Sequence, residues 1–137
     1  MKLLVTGGLG FIGSNFILKL LEENDNFQIK NVDAELDGSD PKNLSKIQGH
    51  RNYEFVKGNI TNKNLMQELI SSCDAVVNFA AESFVDRSIN DSNPFLVSNI
   101  RGAYTILDII TKQKKRMIQI STDEVFGSIS NDSAVEE

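Results

Sequence analysis

Hydrophobic positions follow two alternating rhythms along the chain. Leu3-Leu4-Val5 is a short continuous apolar run, as expected of a buried strand, and it stops at Gly7-Gly8. A helical spacing follows, with Ile12, Phe16, Ile17, Leu20 and Leu21 on one face and Lys19, Glu22 and Glu23 off it. Phe27 to Val32 predicts a second strand, closing on Asp33. Residues 34–49 mix Gly, Pro, Asp and Ser without a period, so a loop is expected, with a helical turn around Leu44. Tyr53 to Val56 predicts a third strand. Thr61 is placed to cap a helix carrying Leu65, Met66, Leu69 and Ile70 on one side. Asp74 to Ala80 predicts a fourth strand. Pro94 suits the first turn of a long helix reaching Lys112, and Arg116 to Ser121 predicts a fifth strand.

Strand, helix, strand in this order, with apolar strands, implies α/β architecture with a doubly wound parallel sheet of Rossmann type. Right-handed crossovers then give the strand order 3-2-1-4-5. The 137 residues are read as one domain, 1–137, with room for one core.

Gly7-Gly8-Leu9-Gly10-Phe11-Ile12-Gly13 lies between the first strand and the first helix. Glycine is needed there to turn the chain, to let backbone approach a pyrophosphate, and to pack the helix closely on the strand. The helix N-terminus offers free N–H groups and a positive dipole end to the phosphates. A bare glycine turn is the alternative. Asp33 favours the dinucleotide reading, because it ends the second strand about 20 residues beyond the loop, where a ribose-binding carboxylate belongs. That carboxylate would accept from a ribose 2′-hydroxyl and repel a 2′-phosphate. Ala34 and Glu35 offer no arginine to reverse the preference, so NAD is expected over NADP.

Charge and composition narrow the partners. A net charge of −5 argues against nucleic acid, which wants a basic face. The basic cluster from Lys112 to Arg116 falls where a helix should end, a favourable place for cations. No apolar run is long enough to span a membrane, and none at the N-terminus reads as a signal peptide. The single cysteine, Cys73, reads as a buried thiol in a reducing cytoplasm. His50, the only histidine, falls in a loop without a partner and reads as surface. No metal site is expected.

The segment Thr6 to Gly13 resembles the fingerprint of extended short-chain dehydrogenases/reductases. Two further stretches, Ala80-Ala81-Glu82-Ser83-Phe84-Val85-Asp86-Arg87-Ser88-Ile89 and Ser121-Thr122-Asp123-Glu124-Val125-Phe126-Gly127, follow the fourth and fifth strands. Together with Asn31-Val32-Asp33 and Ser98-Asn99-Ile100-Arg101-Gly102, they resemble the nucleotide-sugar 4,6-dehydratases of the dTDP-glucose type. The resemblance implies a lyase that binds NAD and a nucleotide sugar such as dTDP-glucose or UDP-glucose. It implies oxidation at the sugar C4, with Thr122 bonding the C4 oxygen. Glu124 would take the C5 proton, Asp123 would protonate the departing C6 hydroxyl, and hydride would return at C6. Beside Gly7, Gly10, Phe11, Ile12, Gly13 and Asp33, it implies cofactor contacts from Asn59, Ile60, Ala80 and Ala81, and for Asn99 a structural or cofactor-adjacent role; as a polar residue inside a helix, Asn99 could equally be a packing detail. Asn59 stands where the family has Asp against the adenine amine, and its amide oxygen could still accept; a plain turn residue is the other reading.

Phe84 and Phe126 stand where the dehydratases have His and Tyr, keeping a ring and losing a polar handle. The family also needs a Tyr-x-x-x-Lys pair. Tyr53 and Lys57 match the spacing but fall on a strand, where positions i and i+4 lie far apart. The pair and the sugar-nucleotide domain are therefore expected beyond residue 137, which makes the chain the truncated NAD-binding part of a longer enzyme, inactive alone. A UDP-sugar epimerase or decarboxylase of the same superfamily, and a non-catalytic NAD-binding module, are the rival readings. The broad apolar surface of the 94–112 helix (Leu96, Ile100, Ala103, Leu107 and Ile110, flanked by Val97, Ile106 and Ile109) predicts a second buried contact. In the resembled family that contact is a homodimer interface.

Overall fold

The computed structural model describes residues 1–122, 125 and 127. Its centre is β1 (Lys2–Thr6), flanked by β2 (Gln28–Asp33) and β4 (Ala75–Asn78), with β3 (Tyr53–Lys57) and β5 (Arg116–Gln119) at the edges. All neighbours are parallel, and the order is β3-β2-β1-β4-β5, as the crossover rule predicts.

Alternation along β1 divides the core between the two faces of the sheet. Val5 packs with Leu9, Ile17, Leu21, Ile29 and Leu44, under α1 (Phe11–Glu23) and a 3₁₀ segment (Pro41–Ile47). Leu4 packs on the opposite side with Val32, Met66, Ile70, Val76, Ile106 and Ile109, under α2 (Lys63–Ser71) and α5 (Ala103–Gln113). Each of these buried side chains stabilises the fold by roughly 1.5–3 kcal/mol relative to exposure. Every residue of β4 is buried, whereas none of β5 is; Ile118 remains 61% exposed.

Several expectations shift in detail. The cap of α2 is Asn62, whose side chain accepts from Leu65 N–H (3.2 Å); Thr61 instead bonds Asn59. The expected turn at Leu44 is a 3₁₀ segment kinked at that residue, capped by Asp40 and begun by Pro41. Ile12 leaves the core face of α1 and is exposed in its first turn. His50 is half-buried and has a partner, accepting from Asn52 N–H at 3.2 Å, so it shapes a turn. The long helix is realised as α4 (Asn93–Phe95), a π-helical stretch (Leu96–Gly102) and α5 in succession. Gly102 lets it press on Ile60, in the segment between β3 and α2, since a Cβ there would lie 2.4 Å from Ile60 Cδ1. Ile106, Ile109 and Ile110 face the core, while Leu96, Ile100, Tyr104 and Leu107 face outward. A left-handed Lys114 then closes the helix, with Lys115 N–H returning to Ile110 C=O (3.0 Å).

Candidate dinucleotide cleft

A cleft of ≈ 390 Å³ opens at the carboxyl ends of the strands, where open α/β sheets bind ligands. Its floor is the glycine loop, and each glycine meets a different demand. Gly7 has φ +69°, and a Cβ on it would lie 2.6 Å from the Ala80 nitrogen, so only glycine lets β1 turn beside the end of β4. Gly13 lies against the loop itself, where a Cβ would fall 2.5 Å from Gly7 O. A Cβ on Gly10 would meet nothing nearer than Gly7 O at 3.4 Å, which leaves backbone open to the cleft. Gly10 also caps α1 without a side chain, so the first-turn N–H groups point toward the opening.

Two buried asparagines hold this loop from either side of β1. Asn31, fully buried on β2, accepts from Gly8 N–H (3.1 Å) and donates to the Tyr53 hydroxyl (3.0 Å). Asn78, buried on β4, accepts from the Thr6 hydroxyl and donates to Gln119 Oε1 (2.7 Å). In the sequence Thr6 and Asn31 count only as members of resembled segments, with no role of their own, and Asn78 is not singled out at all. The available signal is a polar residue inside an otherwise apolar strand end, which must find partners when buried.

Asp33 is 5% exposed and anchors the next loop. Its Oδ2 accepts from Leu9 N–H (3.0 Å), and its Oδ1 accepts from Glu35 N–H (2.8 Å) and Ser39 Oγ (2.9 Å). The carboxylate is thus fixed at the cleft wall, with lone-pair capacity remaining for a hydroxyl. Glu35 takes a left-handed backbone (φ 54°) and pairs with Lys57.

The cleft gathers Gly7, Gly10, Phe11, Ile12 and Gly13 from the loop and helix. It adds Asp33 from β2, Asn59 and Ile60 beyond β3, and Ala80 and Ala81 beyond β4. Phe11 is 81% exposed at the rim. Two of the residues singled out in the sequence meet protein partners here. Asn99 does not line the cleft: its amide clamps the Glu82 backbone, accepting from N–H (2.8 Å) and donating to C=O (2.9 Å). It positions the Ala80–Phe84 wall and does not face the cleft itself. The Asn59 oxygen is already engaged, accepting from Thr61 N–H (2.9 Å) and Thr61 Oγ1 (2.8 Å). Thr122 is exposed and lies outside the cleft lining. Asp123, Glu124 and Phe126 lie outside the described residues.

Phe84 has a structural part of its own. Its ring faces Gly38, carries the Arg87 guanidinium 4.7 Å from its centroid, and Arg87 Nη1 reaches Asp37 (3.0 Å). The loop after β2 and the short α3 (Val85–Asn90) therefore meet over the cleft. The sequence pattern did not predict α3, which buries no residue.

Tyr53 is unsuited to act as a base. Burial pushes its phenol above the usual value; the Asn31 hydrogen bond lowers it and the Asp33 charge raises it. Lys57 is engaged with Glu35 instead.

A family model described as GDP-mannose 4,6 dehydratase matches residues 4–137. The low-salt glycan biosynthesis protein Agl12 of Haloferax volcanii is 43% identical over all of this chain, which covers 44% of that protein. A dTDP-glucose 4,6-dehydratase of Mycolicibacterium smegmatis is 41% identical over 97% of this chain and 40% of its own length. The structure of a dTDP-glucose 4,6-dehydratase from Bacillus anthracis in complex with NAD superposes with a TM-score of 0.88 at 39% identity. That likeness covers 100% of this chain and 42% of the other. The chain thus spans less than half the length of the curated relatives it matches.

Proposed function

The chain belongs to the family described as GDP-mannose 4,6 dehydratase, and from that membership we propose that it supplies the dinucleotide-binding part of an NAD-dependent nucleotide-sugar 4,6-dehydratase. The substrate proposed is dTDP-glucose, or a UDP-glucose counterpart, and the product is a 4-keto-6-deoxy sugar. The observation that carries this reading is the convergence of Gly10, Asp33 and Ala80 on one cleft, from the ends of three neighbouring strands.

The residues present fit NAD. Space above the Gly10 backbone, open N–H groups at the start of α1 and a fixed carboxylate at Asp33 match a pyrophosphate followed by a ribose diol. When bound, NAD supplies a reversible hydride acceptor for the sugar. Gly10 to Gly13 would hold the diphosphate, and Asp33 would accept from the ribose hydroxyls. Thr122, beyond the end of β5, would hydrogen-bond the sugar C4 oxygen. Asp123 would protonate the departing C6 hydroxyl and Glu124 would take the C5 proton. Dividing acid from base between neighbouring carboxyls requires environments that separate their pKa values.

The test is an assay of the longer protein with dTDP-glucose and UDP-glucose, read by mass spectrometry for loss of one water. Glu124→Gln should abolish exchange of the C5 proton with solvent while C4 oxidation stays measurable. Unchanged C5 exchange in that variant would contradict the role of Glu124. The sugar-nucleotide-binding domain and a Tyr-x-x-x-Lys base belong, in this proposal, to the rest of the longer protein, and the 137-residue chain alone should turn over no sugar nucleotide.

A homodimer and a cytoplasmic location are part of the same proposal. Supporting the dimer, Leu96, Ile100, Tyr104 and Leu107 form an outward apolar stripe along one helix, with Tyr104 67% exposed. A second copy is the occupant proposed for it. Light scattering across a dilution series should show mass falling toward a monomer, and Ile100→Lys should shift that transition to higher concentration. A strictly monomeric species at high concentration would contradict it. The lone buried Cys73, whose thiol burial pushes above its usual value, supports a reducing compartment.

A further inference from the structure

Sheet order sets a gap that two segments of this chain bridge. β2 and β4 both pair with β1, so their ends lie two strand spacings apart, roughly 10 Å, with the glycine loop of β1 between them. The segments that follow β2 and β4 nevertheless touch. The Phe84 ring packs over Gly38, where an added Cβ would lie 3.3 Å from Cε2. Arg87 sets its guanidinium 4.7 Å from the centre of that ring and reaches Asp37 Oδ2 at 3.0 Å. Asp37, Gly38 and Phe84 line the cleft together with Gly10, so the bridge belongs to the cleft wall.

The bridge has firm feet and a weak span. On the β2 foot, Asp33 accepts from Glu35 N–H and Ser39 Oγ, and Asp40 N–H returns to Leu9 C=O (3.1 Å). On the β4 foot, Asn99 clamps both backbone groups of Glu82. The span between the feet is exposed: the Arg87 and Asp37 side chains are 51% and 82% accessible, and α3 buries no residue. An exposed ion pair and an exposed cation–π contact are each weak, and salt screens the first. Contacts of this kind open while the buried structure around them stays in place.

We propose that Phe84, Arg87 and Asp37 form a strap across the dinucleotide cleft, and that these positioning residues slow the release of a bound dinucleotide. The inference rests on the NAD reading above, since a diphosphate held at Gly10 to Gly13 lies in the gap that the strap crosses. Arg87 acts through Asp37 and Phe84. If it served the diphosphate directly, Asp37 would compete for its charge, and removing Asp37 would slow release. The two roles therefore differ in sign.

The experiment is stopped-flow release of NADH, chased with excess NAD and read by nicotinamide fluorescence, for the native protein, Asp37→Asn, Arg87→Gln and the double variant. At low salt Asp37→Asn should release NADH about threefold faster, the scale of one exposed ion pair. Arg87→Gln, which also loses the contact with the ring, should be about fivefold faster. The double variant should be no faster than Arg87→Gln, because one contact is lost only once. High salt should close the gap between the native protein and Asp37→Asn, since the native pair is then screened. Phe84→Leu, which keeps apolar bulk and loses the ring face, should speed release about twofold; unchanged release would remove Phe84 from the strap. Release from Asp37→Asn that is unchanged or slower overturns the inference, and so do effects of the two single substitutions that multiply in the double variant. A native protein that binds no NADH fails the NAD reading and the strap with it, whereas binding with unchanged release fails the strap alone.

Discussion

The cleft has two sides, and they are held very differently. On the β2–β3 side, Asn31, Asp33, Ser39, Tyr53 and Asn59 each make at least one hydrogen bond to a neighbouring side chain or loop amide, and Asn31 and Asp33 are buried. On the β4–β5 side, Asn78 is the one comparably buried polar side chain among the described residues, its partner Gln119 sits on a strand with no buried residue, and α3 contributes none. Both sides start from the same backbone geometry. The first is preorganised by this chain alone. The second presents apolar surface, Ile118 and Ile120 among it, that nothing among the described residues covers. A ligand part that needs rigid recognition belongs on the first side, and chemistry that awaits further surfaces belongs on the second.

Paired substitutions test that contrast most strongly. Asn31→Ala leaves the Gly8 N–H and the Tyr53 hydroxyl without their partner inside the fold, and should cost about 2–4 kcal/mol of stability in urea unfolding. Gln119→Ala, on the exposed strand, should stay within about 0.5 kcal/mol. Equal losses would erase the distinction between the two sides.

The contrast also explains what the sequence makes legible. Strand order and both core faces follow from periodicity, because Leu4 and Val5 alternate and each meets a helix face of matching spacing. The cofactor loop is legible because Gly7, Gly13 and Asp33 satisfy local backbone and charge requirements at fixed offsets. The asparagines are not legible in that way. Whether Asn31, Asn59 or Asn99 faces a ligand or a backbone amide depends on which neighbour arrives across more than ten residues or one turn away, and composition cannot rank those partners. Asn99 shows this best: its partner, the Glu82 backbone, comes from a different segment, so a residue that the sequence left open between a structural and a cofactor-adjacent role clamps the wall. The short α3 escapes periodicity because it buries nothing.

A smaller effect sharpens the same comparison. Tyr53→Phe removes one partner of Asn31 while leaving the bond to Gly8, and should cost about 1 kcal/mol in the same unfolding experiment. A loss as large as that of Asn31→Ala would mean that Tyr53, and not the Gly8 contact, carries the network.

Smaller still is the contact across the opening. Arg87→Ala removes an exposed ion pair to Asp37 and the stacking on Phe84, and should change stability by less than about 1 kcal/mol, less at high salt. A salt-independent loss would point to packing by the arginine stem.

The smallest effect lies away from the cleft. Asp108 pairs with Lys112 and Lys63, whose hydrogen bonds hold its carboxyl below the usual carboxylate range. A lowered folded value means that its contribution is present above the ordinary carboxylate range and is lost as pH falls through the lowered value. Asp108→Asn should therefore lower neutral stability slightly, with the difference from the native chain closing as pH falls through the lowered value; a difference that persists at the lowest pH would contradict the assignment.

The most direct test of the preorganised side is a calorimetric titration of the chain with NAD and NADP at one ionic strength, repeated with Asp33→Ala. The account predicts tighter binding of NAD in the native chain, and a preference eroded by about 1–3 kcal/mol in the variant, as expected for lost hydrogen bonds to a charged group. Equal affinity of the native chain for the two dinucleotides, or tighter binding of NADP, would contradict it.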